Sequence, residues 1–413
     1  MTSRLTLFAF LSLLVTSILL RSPLLFFLAV LLGLVAGASA LWGRYCLAGI
    51  SYVRRFGSAR LFCGETTDLW LETTNLKPLP LPWLKIEDEF PAEVSLERVN
   101  LSHAGRTGRS LLATFLSLGW YERVRRHYQL HALRRGVFEF GPVILSSGDL
   151  FGFRVRSQTL AQHQPLMVYP RVVPLHGFGL LAARPLGDFK AARRILEDPL
   201  RLAGAREYHP GDSLRHVHWK TTARRGALHS KVFEPSATPQ IIVCLNSQTF
   251  ERAHQGVQGD SFELAAVISA SLAAAALEAG HPVGLLTNGG VRGSQTRLRL
   301  AASRSPQQLT RVLEALAQLT YFTLLPFERL LRLEAARLPF GATLLAVSAI
   351  VSEPILSSLL DLRAAGHPVA LIAVEAAPFV APPELPVYRA SGDWRSIAAL
   401  SLNAAEQPVP VNP

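Results

Sequence analysis

The sequence predicts an N-terminal transmembrane helical hairpin, a β-sandwich-like middle domain and a C-terminal α/β domain with a doubly wound sheet. Three patterns indicate this: two apolar runs at the start, short segments of period-two alternation in residues 61–175, and strands alternating with helices after residue 239. A chain of 413 residues has room for roughly three such parts. The predicted boundaries are 1–45 for the hairpin, 46–185 for the β-rich domain, 186–238 for a junction segment, 239–390 for the α/β domain and 391–413 for a tail.

The composition is basic, with 42 Lys and Arg against 30 Asp and Glu, a net charge of +12. Such an excess favours a nucleic acid, an anionic membrane surface or an acidic protein as partner. The membrane surface fits best because the chain begins with apolar runs. The three cysteines form no CxxC pair, which argues against a disulfide framework or a zinc site and suits a reducing compartment.

Residues 5–20 and 24–42 form two apolar runs separated by Arg21-Ser22-Pro23. A membrane span needs about 20 apolar residues, with a lower limit near 17, so the second run is long enough and the first is slightly short. The break is too short for a domain. We therefore predict a tight helical hairpin in which Pro23 opens the second helix.

Arginine placement predicts the orientation of the hairpin. Only Arg21 lies in the turn, and no acidic residue precedes Glu65. The arginines on the other side are Arg4 before the first helix and Arg44, Arg54, Arg55 and Arg60 after the second. The positive-inside rule then places the bulk of this multi-pass protein in the cytoplasm. A signal peptide is the alternative, but there is no clean small-residue cleavage site and a second apolar run follows.

The β-rich middle contains alternating segments bounded by Pro, Gly and Asn, typical of half-buried antiparallel strands. The clearest are residues 69–74, 83–88, 111–115 and 124–130. Several short strands at this spacing predict a small β-sandwich. The prolines at every second position of 78–82 predict an exposed edge or loop. Arg123, Arg125 and Arg126 indicate either a solvated strand face or a contact with anionic lipid.

Residues 206–226 are dense in groups that carry charge or hydrogen-bond. Between Lys190 and Glu234 there are ten Lys or Arg and five Asp or Glu. Pro210-Gly211-Asp212 is a turn signal.

Four interpretations of this segment stay open. His216 and His218 share one face of a strand, as metal ligands can, but only Asp212 is near to complete a set. Asp212 with a histidine makes an acid/base pair, without a nucleophile elbow. Tyr208 and Trp219 give thin aromatic support for nucleic-acid binding. The fourth interpretation is structural and interactive: Asp212 accepts from turn amides and pairs with Arg206 or Arg215, and Trp219 anchors a domain junction.

The spacing of this segment resembles the signature of the domain-of-unknown-function 58 family. The matching residues are Arg206, Tyr208, Gly211, Asp212, Arg215, His218, Trp219, Lys220 and Arg224. Residues 75–91, 135–142 and 149–152 resemble the family's upstream pattern. Members are bacterial membrane-anchored proteins usually encoded beside MoxR-type AAA+ ATPases, so the resemblance implies the inner (cytoplasmic) membrane and an ATPase partner.

The C-terminal region alternates short apolar runs with helical segments. Strands are predicted at 241–245, 283–286, 342–347, 369–374 and near 387, and helices at 260–279, 305–319, 327–338, 354–365 and near 394. Asp260 and Glu263 predict a capping box at the first helix. Ala-Gly-His-Pro-Val recurs at 279–283 and 365–369, typical of the helix-to-strand connection of a parallel, doubly wound sheet.

By the same resemblance this region is von Willebrand A-like. In that fold a metal site needs Asp-x-Ser-x-Ser after the first strand, because hard cations prefer oxygen ligands. Asn246, Gln248 and Phe250 stand at those places here. The resemblance therefore implies a degenerate site, and we expect no metal and no cofactor.

The sequence thus favours a membrane-anchored, non-catalytic adaptor or assembly factor that acts with a MoxR-type AAA+ ATPase in envelope or protein-complex maturation. Its expected partners are that ATPase and the lipid bilayer, with no nucleic acid and a possible oligomer. Two alternatives stay open: a membrane-tethered hydrolase using Asp212 and His218, and a structural subunit of an envelope complex.

Overall fold

The computed structural model describes residues 2–149, 154–176, 197–210, 212–235, 240–250, 258–291, 294–339 and 341–404. The chain forms two compact units, Met1–Tyr169 and Pro170–Pro413. The boundary predicted between residues 185 and 186 lies outside the described residues.

The first unit begins with two apolar helices, α1 (Thr2–Leu19) and α2 (Pro23–Tyr45). Pro23 occupies the first helical position of α2, as predicted. With 23 residues, α2 is about 34 Å long, enough to cross the hydrocarbon core of a bilayer. Most of its large apolar side chains face outward; Leu24 and Leu34 are 78% and 67% exposed.

Twelve strands follow in the described part of this unit. They are β1 (Ile50–Phe56), β2 (Arg60–Phe62), β3 (Thr66–Asn75), β4 (Leu81–Pro91), β5 (Val94–Leu96), β6 (Ser102–His103), β7 (Arg109–Leu118), β8 (Arg123–Ala132), β9 (Gly136–Phe140), β10 (Val143–Gly148), β11 (Val155–Leu160) and β12 (Gln164–Tyr169). Sheet β1-β3-β8-β5 and sheet β11-β10-β4-β7-β6 are antiparallel throughout. A third sheet has the order β2-β12-β9. The four alternating segments are all strands.

One detail of this region differs from the sequence prediction. Pro78 lies in a bend that Pro80 follows, but Leu81 and Pro82 belong to β4, an inner strand. The pairing of β4 with β7 shifts between Leu81 and Leu84, which accommodates a proline that cannot donate to the ladder.

The three arginines of β8 divide between two faces. Arg123 and Arg125 bind Glu72 on the outer face, while Arg126 is half-buried on the inner one.

A buried charged group joins the first two sheets. Asp88 of β4 is fully buried, and its Oδ2 accepts from the Tyr52 hydroxyl at 2.7 Å. Arg54 Nε lies 3.1 Å from the same oxygen, with both side chains 1% exposed. Burial disfavours the carboxylate more than Arg54 and Tyr52 favour it, and this raises the pKa of Asp88 to about 6.

The second unit contains the α/β region predicted from the sequence. Its described helices are α3 (Trp219–Arg225), α4 (Gly259–Glu278), α5 (Gln308–Gln318), α6 (Phe327–Ala335) and α7 (Glu353–Ala364). Its described strands are β13 (Leu175–His176), β14 (Glu197–Glu207), β15 (His229–Pro235), β16 (Ile241–Leu245), β17 (Val283–Val291), β18 (Ser294–Ser303), β19 (Leu319–Thr323), β20 (Thr343–Ser348), β21 (Val369–Val374), β22 (Val387–Ala390), β23 (Leu400–Ser401) and β24 (Asn403–Ala404).

The central sheet has the order β18-β17-β16-β20-β21-β22-β24, with β19 pairing β17. Strands β17, β16, β20, β21 and β22 are parallel. On one face, Ile242 and Cys244 pack with Phe327 of α6 and Leu359 of α7. Side chains alternate along a strand, so Val243 faces the opposite side. Helix α4 packs on the sheet through 14 buried residues of its 20, which makes this apolar helix a core helix.

Two local predictions in this unit are wrong. Helix α4 begins at Gly259 with Gln258 as N-cap, so Asp260 lies in its first turn and does not cap it. The Asp260 carboxylate accepts from the Trp394 indole at 2.9 Å and from Arg395 at 3.1 Å. Around Trp394 the chain forms a turn instead of the predicted helix.

Candidate functional site

The segment whose spacing resembles the family signature is closed by a two-stranded hairpin. Strands β14 and β15 are antiparallel, and Glu207 pairs with His229. Residues between them form a short 3-10 turn (Leu214–His216) and then α3. Val217 between these two elements is buried, and the His218 backbone N–H donates to the His229 carbonyl at 2.7 Å.

Asp212 is held by three donors. Arg206 Nη2 lies 2.6 Å from Oδ1, while the His209 backbone N–H at 3.1 Å and the Ser230 hydroxyl at 3.0 Å donate to Oδ2. The Arg206 hydrogen bond, followed by that of His209, holds the pKa of Asp212 far below its usual range. Asp212 is therefore a permanent anion that organises the turn, a poor choice for general base or acid at neutral pH. Gly211 lies outside the described residues.

Tyr208 and His218 also support the local backbone. The Tyr208 hydroxyl donates to the Asp212 carbonyl at 3.1 Å. His218 is the N-cap of α3, and its Nδ1 accepts from the Thr221 N–H at 3.1 Å and lies 2.9 Å from the Thr221 hydroxyl. Gly226 ends the helix with φ 69°. Among the described residues, Asp212 and His218 share no hydrogen bond and are engaged with different partners.

The remaining signature residues are exposed. Arg215, Lys220 and Arg224 form no ion pair within the described ranges, and Trp219 is 69% exposed. Of the two partners predicted for Asp212, Arg206 forms the ion pair. The prediction that Trp219 anchors a domain junction stays a prediction, because much of the predicted junction segment lies outside the described residues.

The place of the predicted degenerate metal site lies at the carboxyl end of β16. Asn246 is 1% exposed, and its Nδ2 donates to the Ser348 hydroxyl at 2.9 Å. Its Oδ1 accepts from the Gln248 N–H at 3.0 Å and from Asn288 Nδ2 at 2.9 Å. The Asn288 Oδ1 accepts from the Ser247 N–H at 2.8 Å. We call Asn246, Ser247, Asn288, Thr323 and Ser348 the amide cluster.

Strand β19 covers this cluster. It pairs with Gly289 and Val291 at the end of β17, beyond the last residue of β17 that pairs with β16. The Thr323 hydroxyl lies 3.1 Å from Ser247 Oγ, and the Leu324 N–H donates to the Asn288 carbonyl at 2.9 Å. The amide and hydroxyl groups of the cluster therefore hydrogen-bond to one another and to β19.

The donor set of the amide cluster does not suit a hard cation. Its members are neutral, whereas Mg²⁺ sites in proteins use at least one carboxylate. In the part of the chain that the structure describes, no group of three His, Cys, Asp or Glu is arranged to hold a metal ion. Gln248 contributes through its backbone, and Phe250 is partly buried.

Sequence reasoning missed Ser230, Asn288 and Thr323, and it noted Ser348 only as standing where the resemblance implies a second acidic ligand. A signal for Asn288 was present, because it follows the predicted strand 283–286 after one threonine, much as Asn246 follows the strand 241–245. Thr323 had no such signal, since it lies in a strand that the alternation pattern did not predict.

Part of the chain matches a protein family whose function is unknown. Residues 204–375 match the family described as "Protein of unknown function DUF58". The uncharacterised protein YeaD of Bacillus subtilis is 25% identical over 265 residues, which are 62% of this chain and 59% of YeaD. The match thus spans less than two thirds of that relative.

Solved structures are only distantly similar. A cohesin module from Clostridium perfringens is 11% identical and aligns with 29% of this chain and 96% of its own, with a TM-score of 0.21. The trypsin-activated alpha-2-macroglobulin of Escherichia coli is 15% identical, with 41% and 9% covered and a TM-score of 0.21. Scores this low carry no argument about fold or function.

Proposed function

We propose that this chain is a bacterial inner-membrane member of the DUF58 family that acts as a non-catalytic adaptor or assembly factor for a MoxR-type AAA+ ATPase. Its task is the maturation of envelope or other protein complexes. The helices α1 and α2 anchor it as a multi-pass hairpin, with the bulk of the chain in the cytoplasm. Its α/β region is von Willebrand A-like and presents the amide cluster where that fold holds a metal.

One surface carries the proposal. The exposed side of the 3-10 turn and α3, which we call the signature surface, consists of Leu214, Arg215, Trp219, Lys220, Arg224 and Arg225. Leu214 is 67% exposed and Trp219 69%. Tryptophan and arginine are enriched among the few residues that carry most of the binding energy of protein interfaces.

The charge of this surface selects the kind of partner. Its four basic residues have no counter-ion within the described ranges, so an acidic protein surface complements them. The underlying network is built to present them: Asp212 fixes the turn, and His218 starts the helix that carries Trp219. These two residues support a surface and are not arranged together for chemistry, which favours an adaptor over a hydrolase.

The test is retention of the ATPase by the full-length protein in lipid nanodiscs. Wild type is expected to retain the MoxR-type ATPase from the same organism. Trp219→Ala and Arg224→Glu should each reduce retention at least about tenfold, the loss of roughly 1.4 kcal/mol or more. Matched controls are Phe322→Ala and Arg329→Glu, which alter an exposed aromatic and an exposed arginine elsewhere in the second unit.

Each outcome decides something. If wild type retains no ATPase, the ATPase partner is wrong. A native complex that contains envelope subunits instead supports the structural-subunit alternative. If the controls lose as much as the signature variants, the signature surface is not the contact.

A further inference from the structure

The end of α2 is built into the β-sheet part of its unit. The Ser39 hydroxyl is buried and donates to the Asp149 carboxylate at 2.7 Å. The Trp42 indole donates to the Pro80 carbonyl at 3.1 Å. Two residues after Trp42, the Arg44 carbonyl accepts from Arg156 at 3.2 Å. The helix therefore meets the sheets in a defined position.

The residues just after α2 also contact this end of the sheets. Lys77 Nζ donates to the carbonyls of Cys46 and Ala48 just past the end of α2. The Tyr121 N–H donates to the Lys77 carbonyl at 3.4 Å, and the Asn75 N–H to the Glu122 carbonyl at 2.9 Å. The turn between β7 and β8 is thus placed beside the exit of α2.

Exposed apolar side chains collect at this end. In the described strands and connections that follow α2 in the first unit, six large apolar residues are exposed, and four lie here: Leu76 (62%), Trp120 (71%), Tyr121 (66%) and Val155 (59%). Val155 belongs to this end because it pairs with Gly148, one residue before Asp149. The other two exposed residues are Phe115 and Leu133. We call the four residues the membrane-end surface.

We infer that the membrane-end surface inserts into the headgroup region of the bilayer that α2 crosses, so that the β-sheet part of the chain rests on the membrane. We assign the bilayer to this surface because the four side chains lie around the point where the apolar helix ends. Tryptophan and tyrosine favour this interface since one end of each ring is apolar and the other hydrogen-bonds. The inference rests on the proposed anchoring by α2.

The charged groups nearby fit an anionic bilayer. Lys77, Arg154 and Arg156 lie at this end, together with Arg44 at the end of α2. Of the nearby acids, Asp149 is buried, and Glu122 accepts from the Gly119 N–H. Basic residues next to a span are attracted to anionic lipid headgroups.

The test is depth-dependent fluorescence quenching in the full-length protein. The three native cysteines are buried, so single introduced cysteines can be labelled with an environment-sensitive dye such as nitrobenzoxadiazole. The variants are Trp120→Cys at the surface, Phe115→Cys as an exposed aromatic control on β7, and Leu34→Cys on the exposed side of α2. Vesicles of phosphatidylethanolamine and phosphatidylglycerol carry a nitroxide either at the headgroup or within the acyl chain.

The expected result is quenching of the Leu34 label by the acyl-chain nitroxide and of the Trp120 label by the headgroup nitroxide. The Phe115 label should be quenched several-fold less than the Trp120 label. If Leu34 is quenched but Trp120 behaves like Phe115, the surface does not touch the bilayer while the anchor stands. If Leu34 is not quenched, the anchor itself is wrong. Unchanged thermal unfolding of each variant confirms that labelling leaves the fold intact.

Discussion

Asp88 makes the stability of the first unit depend on pH in a direction opposite to most carboxylates. Its pKa is raised from the ordinary 3.8 to about 6 by burial, in spite of the contact with Arg54. Between these two values the folded chain binds a proton that the unfolded chain has released. The stability this group contributes is therefore complete below its unfolded pKa and is lost as the pH rises through the folded one.

We expect the unfolding free energy of wild type, minus that of Asp88→Asn, to fall between about pH 4 and about pH 6 and then level off. The total change should be about 1–3 kcal/mol, because the pKa differs by roughly two units. Subtracting the variant removes the contributions of other carboxylates, such as Asp212, whose lowered pKa acts in the opposite sense. Denaturant titrations across this pH range, followed by tryptophan fluorescence, measure it. A difference that rises with pH would contradict the assignment.

A second test concerns His218, whose role as the N-cap of α3 requires only that its side chain accept a hydrogen bond. His218→Ala should remove the side-chain bond to the Thr221 N–H and destabilise α3 by about 1 kcal/mol. His218→Asn should keep most of this stability, since asparagine is among the best N-cap residues. Hydrogen exchange at the Thr221 amide measures the local effect. If asparagine fails as badly as alanine, His218 does more than start the helix.

The helices and strands show where a sequence is informative. The parallel strands β16, β17, β20 and β21 were predictable because they are buried on both faces and are continuous apolar runs. Strand β18 was missed, since Arg297 and Arg299 interrupt its apolar character and pair with Glu334 in the folded chain. Such a contact between distant residues leaves no local pattern.

Strand β19 and the amide cluster illustrate the same limit. The helical pattern of residues 305–319 continued up to Leu319, where the chain leaves α5 and becomes extended. Only the ladder with Gly289 and Val291 makes it a strand. The sequence singled out Asn246 after strand β16, but it did not show that Asn288 and Ser348 complete a neutral network with it.

This network predicts how Asn246→Asp behaves. The oxygens of the carboxylate can still accept the hydrogen bonds that Asn246 Oδ1 accepts. The carboxylate cannot donate to the Ser348 hydroxyl, however, and it places a buried charge among neutral amides. We expect a loss of about 1–3 kcal/mol from the unsatisfied buried groups, with no recovery on adding Mg²⁺. Thermal unfolding of the full-length protein with and without Mg²⁺ measures both effects. Asn288→Ala should destabilise comparably, because it leaves the Ser247 N–H unpaired. A marked rise in the melting temperature of Asn246→Asp with Mg²⁺ would contradict this expectation and show that one added carboxylate turns the cluster into a metal site.

Over the whole molecule, the net charge of +12 includes two clusters of basic residues, one at the end of α2 and one around Trp219. Of the basic groups at the end of α2, the sequence used only Arg44 to predict membrane orientation, whereas Lys77, Arg154 and Arg156 join it in the folded chain. The basic groups around Trp219 were predicted only as a dense segment. In the structure this segment contains an ion pair between Asp212 and Arg206 and, apart from it, an exposed cationic surface. That arrangement depends on the β14–β15 hairpin, which was not recognised in the sequence.

That arrangement predicts how partner binding responds to salt. The signature surface should attract an acidic partner over long range, so association slows as ionic strength rises toward about 0.1 M, where the Debye length is about 10 Å. Arg224→Glu should lower the association rate and flatten this salt dependence, because rim charges act on encounter. Trp219→Ala should instead accelerate dissociation and leave the salt dependence unchanged, since it removes apolar contact area. Binding kinetics of the nanodisc-embedded protein at several salt concentrations separate the two effects. If Trp219→Ala alters the salt dependence as strongly as Arg224→Glu, the tryptophan acts by holding the cationic side chains in place and not by direct contact.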